Sequence, residues 1–401
     1  MKRTLSSLAA SVILMLLVVG QSSFAGEPFV RIQRQDAERT NMVHEPLFSG
    51  TPKLKWRWQS ETPITSALFA AEGRLFLGHG SRLDNVHVDG HLAELDISSG
   101  KLLSDRQTFS TILFSPFSAY DRLFIIGSRS FETFISSDAG KEYAQLYEFK
   151  PSDAEFFKGP LLINCSVPPL VSLGHMIVNE GPEIRAIDLS TFEEVWRIDS
   201  PAAWQRAWLS VLPLASASDN LLVVGSASKG LMAVDLTSRK KVWQADLDVA
   251  IQPEICASGS RLFAATVEGT LLSLDMRTGK KRFDVRPTSP VLVPPSVAGD
   301  YLYVGLEGAK LAAISAVDGN ELWVADLPGD LMDSPLVGKD WLLLGTRSGY
   351  VLCLSANNGS EIWRYRAFGA VVTTPTLYDG AVLFADDKSV VYCIEENKPA
   401  E

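Results

Sequence analysis

The sequence predicts an all-β fold, an eight-bladed β-propeller of four-stranded blades in which an N-terminal strand completes the last blade. Three observations lead to this fold class: a repeat of 40 residues, segments of strand length separated by turn residues, and a strand-like segment at the N-terminus without three strands before it. Four short strands repeated at about forty residues are the signature of propeller blades.

The repeat is clearest in the C-terminal half of the chain. Residues 271–283 recur as residues 311–323 and again as residues 351–363, so each copy lies 40 residues after the previous one. Every copy contains an alternating apolar segment, a turn with glycine, and an aromatic residue. Such short alternating segments bounded by turn residues are typical of strands and have no helical period.

A second landmark keeps the same spacing. In five units a proline lies seven residues before an apolar run: Pro116, Pro169, Pro295, Pro335 and Pro375. Counting both landmarks gives eight units. In each unit the first strand follows or contains the proline, the second is the apolar run, the third is the alternating segment and the fourth begins near the aromatic residue.

The two ends of the repeat region complement each other. The last unit stops after its third strand, whereas residues 53–58 have the pattern of a fourth strand alone. Pairing this segment with the last unit would close the ring and cover strand edges that otherwise favour aggregation. The sequence therefore predicts one propeller domain over residues 53–395, preceded by an N-terminal extension at 26–52 and followed by a C-terminal tail at 396–401.

Residues 1–25 have the features of a secretory signal peptide. Lys2 and Arg3 precede an apolar stretch at 5–19, and small residues end at Ala25. We expect cleavage near Ala25 and a periplasmic or secreted product; an uncleaved anchor is the alternative. The residue after the cut is Gly26 rather than cysteine, so no lipid attachment is expected. No later segment is apolar for long enough to span a bilayer.

Composition excludes several classes of protein. The formal net charge of -10 argues against a nucleic-acid partner, which needs a basic face. Cys165, Cys256, Cys353 and Cys393 are too few for a disulfide-dense scaffold, and we expect packed free thiols, with a disulfide as the alternative. No serine nucleophile elbow, phosphate-binding loop or zinc-protease motif occurs, so no catalytic residues are predicted.

The repeated motif resembles the tryptophan-docking repeat of quinoprotein-type propellers. Its best copies include Ala233-Val-Asp235 followed by Trp243, and Asp275 followed by Thr278-Gly279. The resemblance covers roughly residues 53–395 and specifies fold better than function. It implies a structural docking role for the aromatic residues at one position of the repeat: Trp196, Trp243, Phe283, Trp323 and Trp363.

Two functional branches share this repeat. One contains dehydrogenases of alcohols and sugars that use pyrroloquinoline quinone (PQQ) with calcium, many of which carry adjacent cysteines. The other is the non-enzymatic propeller of the outer-membrane β-barrel assembly machinery. Because no two cysteines are adjacent here, the resemblance favours a monomeric scaffold without cofactor that binds protein partners in the cell envelope. A PQQ-dependent dehydrogenase or a degenerate relative is the alternative, and a polysaccharide or small-ligand binder using the central channel is a third.

One segment between blades is a candidate partner-binding site. Trp204, Arg206 and Trp208 lie close together, and neither tryptophan occupies the docking position. Tryptophan and arginine are enriched at interaction hot spots. The alternative is that these residues cap the central channel or pack a longer loop.

A histidine-rich segment is a weak candidate metal site. His79, His87 and His91 occur within thirteen residues, next to Asp84 and Asp89. Imidazoles and carboxylates are ligands of zinc and similar metals, but the spacing fits no established motif. We expect a solvated loop between two strands of the first blade, with metal binding as the alternative. Insertions at 79–91 and 128–143 are expected on the same face of the propeller.

Overall fold

The computed structural model describes most of the repeat region. The described residues are 42–82, 88–108, 111–112, 115–119, 122–126, 131–136, 143–147, 170–172, 175–179, 183–191, 193–199, 208–213, 220–226, 230–247, 249–252 and 255–397. The predicted signal peptide lies outside these ranges. These ranges contain no helix with the length and hydropathy of a membrane span.

Every named element in the described ranges is a β-strand. In the N-terminal half the strands are β1 (Pro52–Gln59), β2 (Phe69–Ala71), β3 (Arg74–Arg82), β4 (Val88–Asp96), β5 (Leu102–Thr108), β6 (Phe117–Ala119), β7 (Arg122–Ile126), β8 (Phe131–Ser136), β9 (Tyr143–Tyr147), β10 (Leu170–Ser172), β11 (His175–Asn179), β12 (Glu183–Asp188), β13 (Glu194–Asp199), β14 (Trp208–Pro213), β15 (Asn220–Ser226), β16 (Gly230–Asp235) and β17 (Lys240–Asp246). In the C-terminal half they are β18 (Cys256–Ser258), β19 (Arg261–Ala265), β20 (Leu271–Asp275), β21 (Lys281–Val285), β22 (Ser296–Ala298), β23 (Tyr301–Leu306), β24 (Lys310–Ser315), β25 (Glu321–Asp326), β26 (Leu336–Val337), β27 (Trp341–Gly345), β28 (Tyr350–Ser355), β29 (Glu361–Arg366), β30 (Thr376–Tyr378), β31 (Ala381–Ala385) and β32 (Val390–Glu396).

The strands pair into four-stranded antiparallel sheets, which confirms the predicted all-β propeller. Seven sheets use four consecutive strands each, from β2–β5 through β26–β29, so seven blades are continuous in the chain. The eighth sheet is composite and has the order β1-β32-β31-β30. In it, β1 pairs with β32 from Pro52 opposite Glu396 to Gln59 opposite Val390. The predicted pairing of the N-terminal strand with the last unit is therefore confirmed.

A recurrent turn links the third and fourth strands of a sheet. In the turn after β20, the Asp275 carboxylate accepts hydrogen bonds from the backbone N–H of Thr278 (3.0 Å) and from its hydroxyl (2.9 Å). Gly279 then adopts a φ of 67°, a conformation that glycine reaches at little cost. This side-chain bonding by aspartate is what makes the motif a turn former.

The hydrophobic core is divided among the interfaces between sheets. In one cluster, Phe263 and Leu271 of the β18–β21 sheet pack with Leu302 of the next sheet. Another cluster joins the last sheet to the first through Leu383 and Leu75. Because the second and third strands of a sheet, such as β19 and β20, are almost fully buried, a blade depends on its neighbouring blade for its core.

Residues 42–50, within the predicted N-terminal extension, pack on the last two sheets. The backbone N–H of Val43 donates to the carbonyl of Val337 at 2.8 Å. The Phe48 ring stacks on Trp363 with centroids 4.9 Å apart, and Trp363 Nε1 donates to the Phe48 carbonyl at 2.9 Å. In other sheets the aromatic residue of the fourth strand packs against a turn of the next sheet. In the β26–β29 sheet the segment at 42–50 takes the place of that turn.

Two predicted loop insertions are wrong in part. Within 79–91, β3 extends to Arg82 and β4 begins at Val88, and within 128–143 lies the strand β8. The ends of β3 and β4 resembled a loop in sequence because they are polar and contain glycine. The backbone ladder between β3 and β4 nevertheless continues, as His79 pairs with His91 and Gly80 with Gly90.

Candidate functional site

Two kinds of connection between strands lie on the same face of the propeller. In each sheet, the link from the second to the third strand and the link from the fourth strand to the next sheet leave at the same edge, because the strands are antiparallel. In five sheets a single backbone bridge joins the link that enters the sheet to a residue in or just after the second strand: Ile64 to His79, Ile251 to Thr266, Val291 to Leu306, Leu331 to Thr346 and Val371 to Asp386. We call this side the loop-rich face.

The bridge position at the end of the second strand usually closes a short turn. Thr266 Oγ1 accepts from the backbone N–H of Thr270 at 3.0 Å. Thr346 Oγ1 accepts from Tyr350 at 3.0 Å, and Asp386 Oδ1 accepts from Val390 at 3.1 Å. In the first sheet this position is His79, and β3 continues past it to Arg82, so His79 has no such turn to close.

His79 instead meets side chains from two neighbouring strands. Its Nε2 lies 3.1 Å from Asp105 Oδ1, and His91 Nδ1 lies 3.0 Å from the same oxygen. The two imidazole rings stack with centroids 5.1 Å apart and an interplanar angle of 27°. We call His79, His91 and Asp105 the histidine cluster. Its three ligand atoms all lie within 4.8 Å of one another.

The cluster is buried at one end and open at the other. His79 is 4% exposed, whereas the side chains of His91 and Asp105 are 25% and 34% exposed. The second imidazole nitrogen of His79, Nδ1, lies 2.7 Å from Thr62 Oγ1. The Trp58 ring packs edge-on to His79 at 6.1 Å. His79 is therefore fixed on several sides while its partners remain accessible to solvent.

The structure brings together part of the histidine segment predicted from sequence. His79 and His91 are adjacent across the hairpin, whereas His87 lies outside the described residues. Sequence reasoning missed Asp105. Pairing the fourth strand in register would have found it, because Asp105 lies opposite Ala93, two residues along β4 from His91 and hence on the same face of the sheet.

Other parts of the loop-rich face expose apolar side chains. Phe368 and Val267 are 69% and 65% exposed, and they lie in a link between sheets and in a turn after a second strand, respectively. The Arg57 guanidinium lies over the Phe368 ring, 4.9 Å from its centroid. The Phe368 backbone N–H donates to the Tyr392 hydroxyl at 3.1 Å. This hydrogen bond fixes the backbone at Phe368 while the side chain stays exposed.

The candidate hot spot falls largely outside the described residues. Trp204 and Arg206 lie outside them, and Trp208 is the first residue of β14. The hypothesis that these residues bind a partner stays a prediction.

Three of the four cysteines are described, and they are buried and outside any disulfide: Cys256, Cys353 and Cys393. Burial raises the pKa of Cys353 to about 12 and that of Cys393 to about 12. The predicted packed thiols are confirmed at these three positions. Cys165 lies outside the described residues.

The aromatic residues at the repeat position lie between neighbouring sheets. Trp243 Nε1 donates to the Met276 carbonyl of the next sheet at 2.8 Å, and a Cβ added at Gly279 would lie 2.5 Å from the Trp243 ring. Trp323 and Phe283 lie in the same way against Gly359 and Gly319 of their following sheets. Trp196, which is 9% exposed, packs in the cluster between the β10–β13 and β14–β17 sheets, and Trp363 is covered by Phe48.

Sequence reasoning left one residue out of this docking set. Trp56 of β1 donates from Nε1 to the Ile97 carbonyl at 2.7 Å. It also lies against Gly100, where an added Cβ would be 2.5 Å from the indole. Its place in the fourth-strand pattern of residues 53–58 was the signal that could have found it.

The described residues bring His and Asp ligand atoms together at one place. Among them, the histidine cluster is the only group of three or more His, Cys, Asp and Glu side chains whose ligand atoms converge. Calcium prefers six to eight oxygen ligands, whereas two of these three ligands are imidazoles. The described cysteines are also distributed over three different sheets.

A family profile and a curated relative that match this sequence carry the same description. The sequence profile of the family described as "Outer membrane protein assembly factor BamB" matches residues 89–248, 228–332 and 329–398. The outer membrane protein assembly factor BamB of Bordetella pertussis is 28% identical over 95 residues, which is 24% of this chain and 24% of that protein. The chain thus aligns with about a quarter of the length of this curated relative.

Solved structures show the same fold at low identity. BamB from Moraxella catarrhalis has a TM-score of 0.58 at 15% identity, covering 88% of this chain and 100% of that one. Quinohemoprotein alcohol dehydrogenase ADHIIG from Pseudomonas putida HK5 has a TM-score of 0.65 at 13% identity, covering 94% and 81%. The dehydrogenase likeness is one of fold alone, whereas the sequence profile spans most of the chain from residue 89 to residue 398. The chain therefore belongs to the outer membrane protein assembly factor BamB family.

Proposed function

We propose that this protein is an exported, non-enzymatic propeller scaffold that binds protein partners in the cell envelope during outer-membrane protein assembly. The observation that carries the proposal is the family match over residues 89–398. The composite sheet supports a ring of eight blades, because a hydrophobic cluster joins it to the first sheet. A closed ring of this kind presents a rigid face for a partner.

The loop-rich face is the proposed docking surface. Large exposed apolar side chains are candidates for interface anchors, and Phe368 and Val267 are the two most exposed of those described. Trp204, Arg206 and Trp208 are proposed to extend this surface, since the first two lie in sequence between β13 and β14 and Trp208 is the first residue of β14. Periplasmic location after cleavage near Ala25 belongs to the same proposal.

Genetic complementation tests the function. Deleting the gene should lower the amount of folded β-barrel protein in the outer membrane, measured by heat-modifiable migration on gels, and the wild-type gene should restore it. A chain with Phe368→Asp and Val267→Asp should fail to complement. Val317→Asp is the matched control, because Val317 is 59% exposed but lies in a turn on the opposite face.

Two outcomes would overturn the proposal. One is an unchanged outer-membrane protein profile after deletion. The other is dye-coupled oxidation of alcohols or sugars by the purified chain after addition of PQQ and calcium, which would favour the quinoprotein alternative. If Trp204→Ala with Trp208→Ala left partner capture intact, the contribution of that segment would be wrong while the scaffold role would stand.

A further inference from the structure

The histidine cluster is built by the backbone of the first sheet. His79 on β3 is directly opposite His91 on β4, and Asp105 on β5 is opposite Ala93. Residues 91 and 93 point to the same side of β4 because side chains alternate along a strand. The three side chains are therefore placed on one face of a continuous hydrogen-bonded ladder.

Two of the three separations between ligand atoms are close to those around one metal ion. Zinc binds imidazole nitrogen and carboxylate oxygen at about 2.0–2.2 Å, so two ligand atoms at a tetrahedral angle are about 3.3 Å apart. The two nitrogen-to-oxygen distances in the cluster, 3.1 and 3.0 Å, are close to this separation.

A further contact orients the buried ligand. If Nε2 of His79 binds a metal, its Nδ1 must carry the proton, and Thr62 Oγ1 lies 2.7 Å from Nδ1 to accept it. Metal-binding histidines almost always donate their second N–H to such a partner. Thr62 precedes the bridge between Ile64 and His79, so it is held beside the ring by the backbone.

The first sheet departs from the other sheets at this position. In three other sheets the side chain at this position, Thr266, Thr346 or Asp386, closes a turn, whereas this sheet places a buried imidazole there and continues into a longer hairpin. We propose that His79, His91 and Asp105 bind a divalent transition-metal ion of the zinc type, with at least one coordination position open to water. Zinc sites with three protein ligands and a water molecule in the fourth position are well established in proteins.

Ion binding to the full chain tests this site. After treatment with a chelator and dialysis, isothermal titration with zinc chloride should show one ion bound per chain. Asp105→Asn and His91→Gln should each weaken binding at least about tenfold, since each removes a ligand. His44→Gln is the matched control, because His44 is exposed and remote from the first sheet in sequence; it should bind zinc as the wild type does.

The effect of Thr62 variants on zinc affinity distinguishes a metal site from a simple hydrogen-bond network, because in a metal site Thr62 positions the His79 ring. Thr62→Val should weaken zinc affinity by about 10- to 100-fold, and Thr62→Ser, which keeps the hydroxyl, should restore it. Cobalt bound to the wild type should give visible d–d absorption that is lost in Asp105→Asn. Far-UV circular dichroism confirms that each variant is folded.

Two results would overturn the proposal. The first is absence of stoichiometric zinc binding to the folded wild type. The second is unchanged affinity in both Asp105→Asn and His91→Gln. In either case the cluster is a hydrogen-bond network only, and the proposed scaffold function, which rests on other residues, is unaffected.

Discussion

The contact between Trp243 and Gly279 allows the docking role of the repeat to be measured. Gly279 has a φ of 67°, and a Cβ there would lie 2.5 Å from Cε3 of the indole. Gly259 has a similar φ of 59°, yet a Cβ there would meet nothing within 4 Å. The two glycines therefore share the backbone requirement and differ in the contact between blades.

This difference gives the expected magnitudes. Gly259→Ala should lower the free energy of unfolding by about 1–2 kcal/mol, the cost of a left-handed conformation for alanine. Gly279→Ala should lower the free energy of unfolding by the same amount, and the overpacked contact with Trp243 should lower it by about 1–3 kcal/mol more. We therefore expect Gly279→Ala to be the more destabilising change by about 1–3 kcal/mol.

Urea denaturation, followed by far-UV circular dichroism, measures the free energy of unfolding of both variants. Their midpoints can be compared when the free energy depends on urea concentration with the same slope. The same pair is then measured in a Trp243→Ala background. Because the indole is gone, the two alanine substitutions should now cost the same within about 0.5 kcal/mol. Equal costs in the wild-type background, or a difference that persists without Trp243, would refute the docking role of this contact.

Two further predictions follow from the N-terminal segment and the buried thiols. Phe48→Ala should lower the free energy of unfolding by about 2 kcal/mol, because the half-buried ring loses its stack on Trp363; His44→Ala in the same segment should cost little in the same urea assay, and equal effects would contradict the prediction. The pKa values of Cys353 and Cys393 are raised by burial to about 12 in the folded state. The unfolded thiols ionise above pH about 8.5, so the unfolded state binds fewer protons there and stability should fall as the pH rises toward about 12. Urea midpoints across this range check the trend, and replacing both cysteines with alanine should flatten it.

The repeat made most of the fold predictable. The spacing of Asp275, Gly279 and the aromatic residue specifies a turn, a positive φ and a packing partner in the next blade, so each copy carries local and long-range information at once. The strand predicted at 53–58 could be assigned to the last unit because that unit lacked a fourth strand. Agreement between local turn chemistry and the overall ring is the condition under which pattern reasoning succeeds.

The histidine cluster was only partly predictable, for a physical reason. Its members come from three strands, and the register between those strands is set by backbone pairing that sequence spacing does not reveal. His79 and His91 were found because they are close in sequence, whereas Asp105 becomes their neighbour only once β4 and β5 are paired. The packing of Phe48 on Trp363 joins positions 315 residues apart, and no local pattern indicates it.

Trp323 shows that a repeat can keep its shape while changing its chemistry. The indoles of Trp56 and Trp243 donate to a carbonyl just after the aspartate of the next turn. At the matching place Ala356 accepts instead from the Tyr303 hydroxyl, at 3.3 Å, and Trp323 Nε1 is buried without a hydrogen-bond partner. An unpaired buried donor costs about 1–3 kcal/mol, so packing of the indole on Gly359 must outweigh that cost. The position is therefore selected for the shape of the ring between blades, with the hydrogen bond as a secondary contribution, and this explains why Phe283 can occupy it as well.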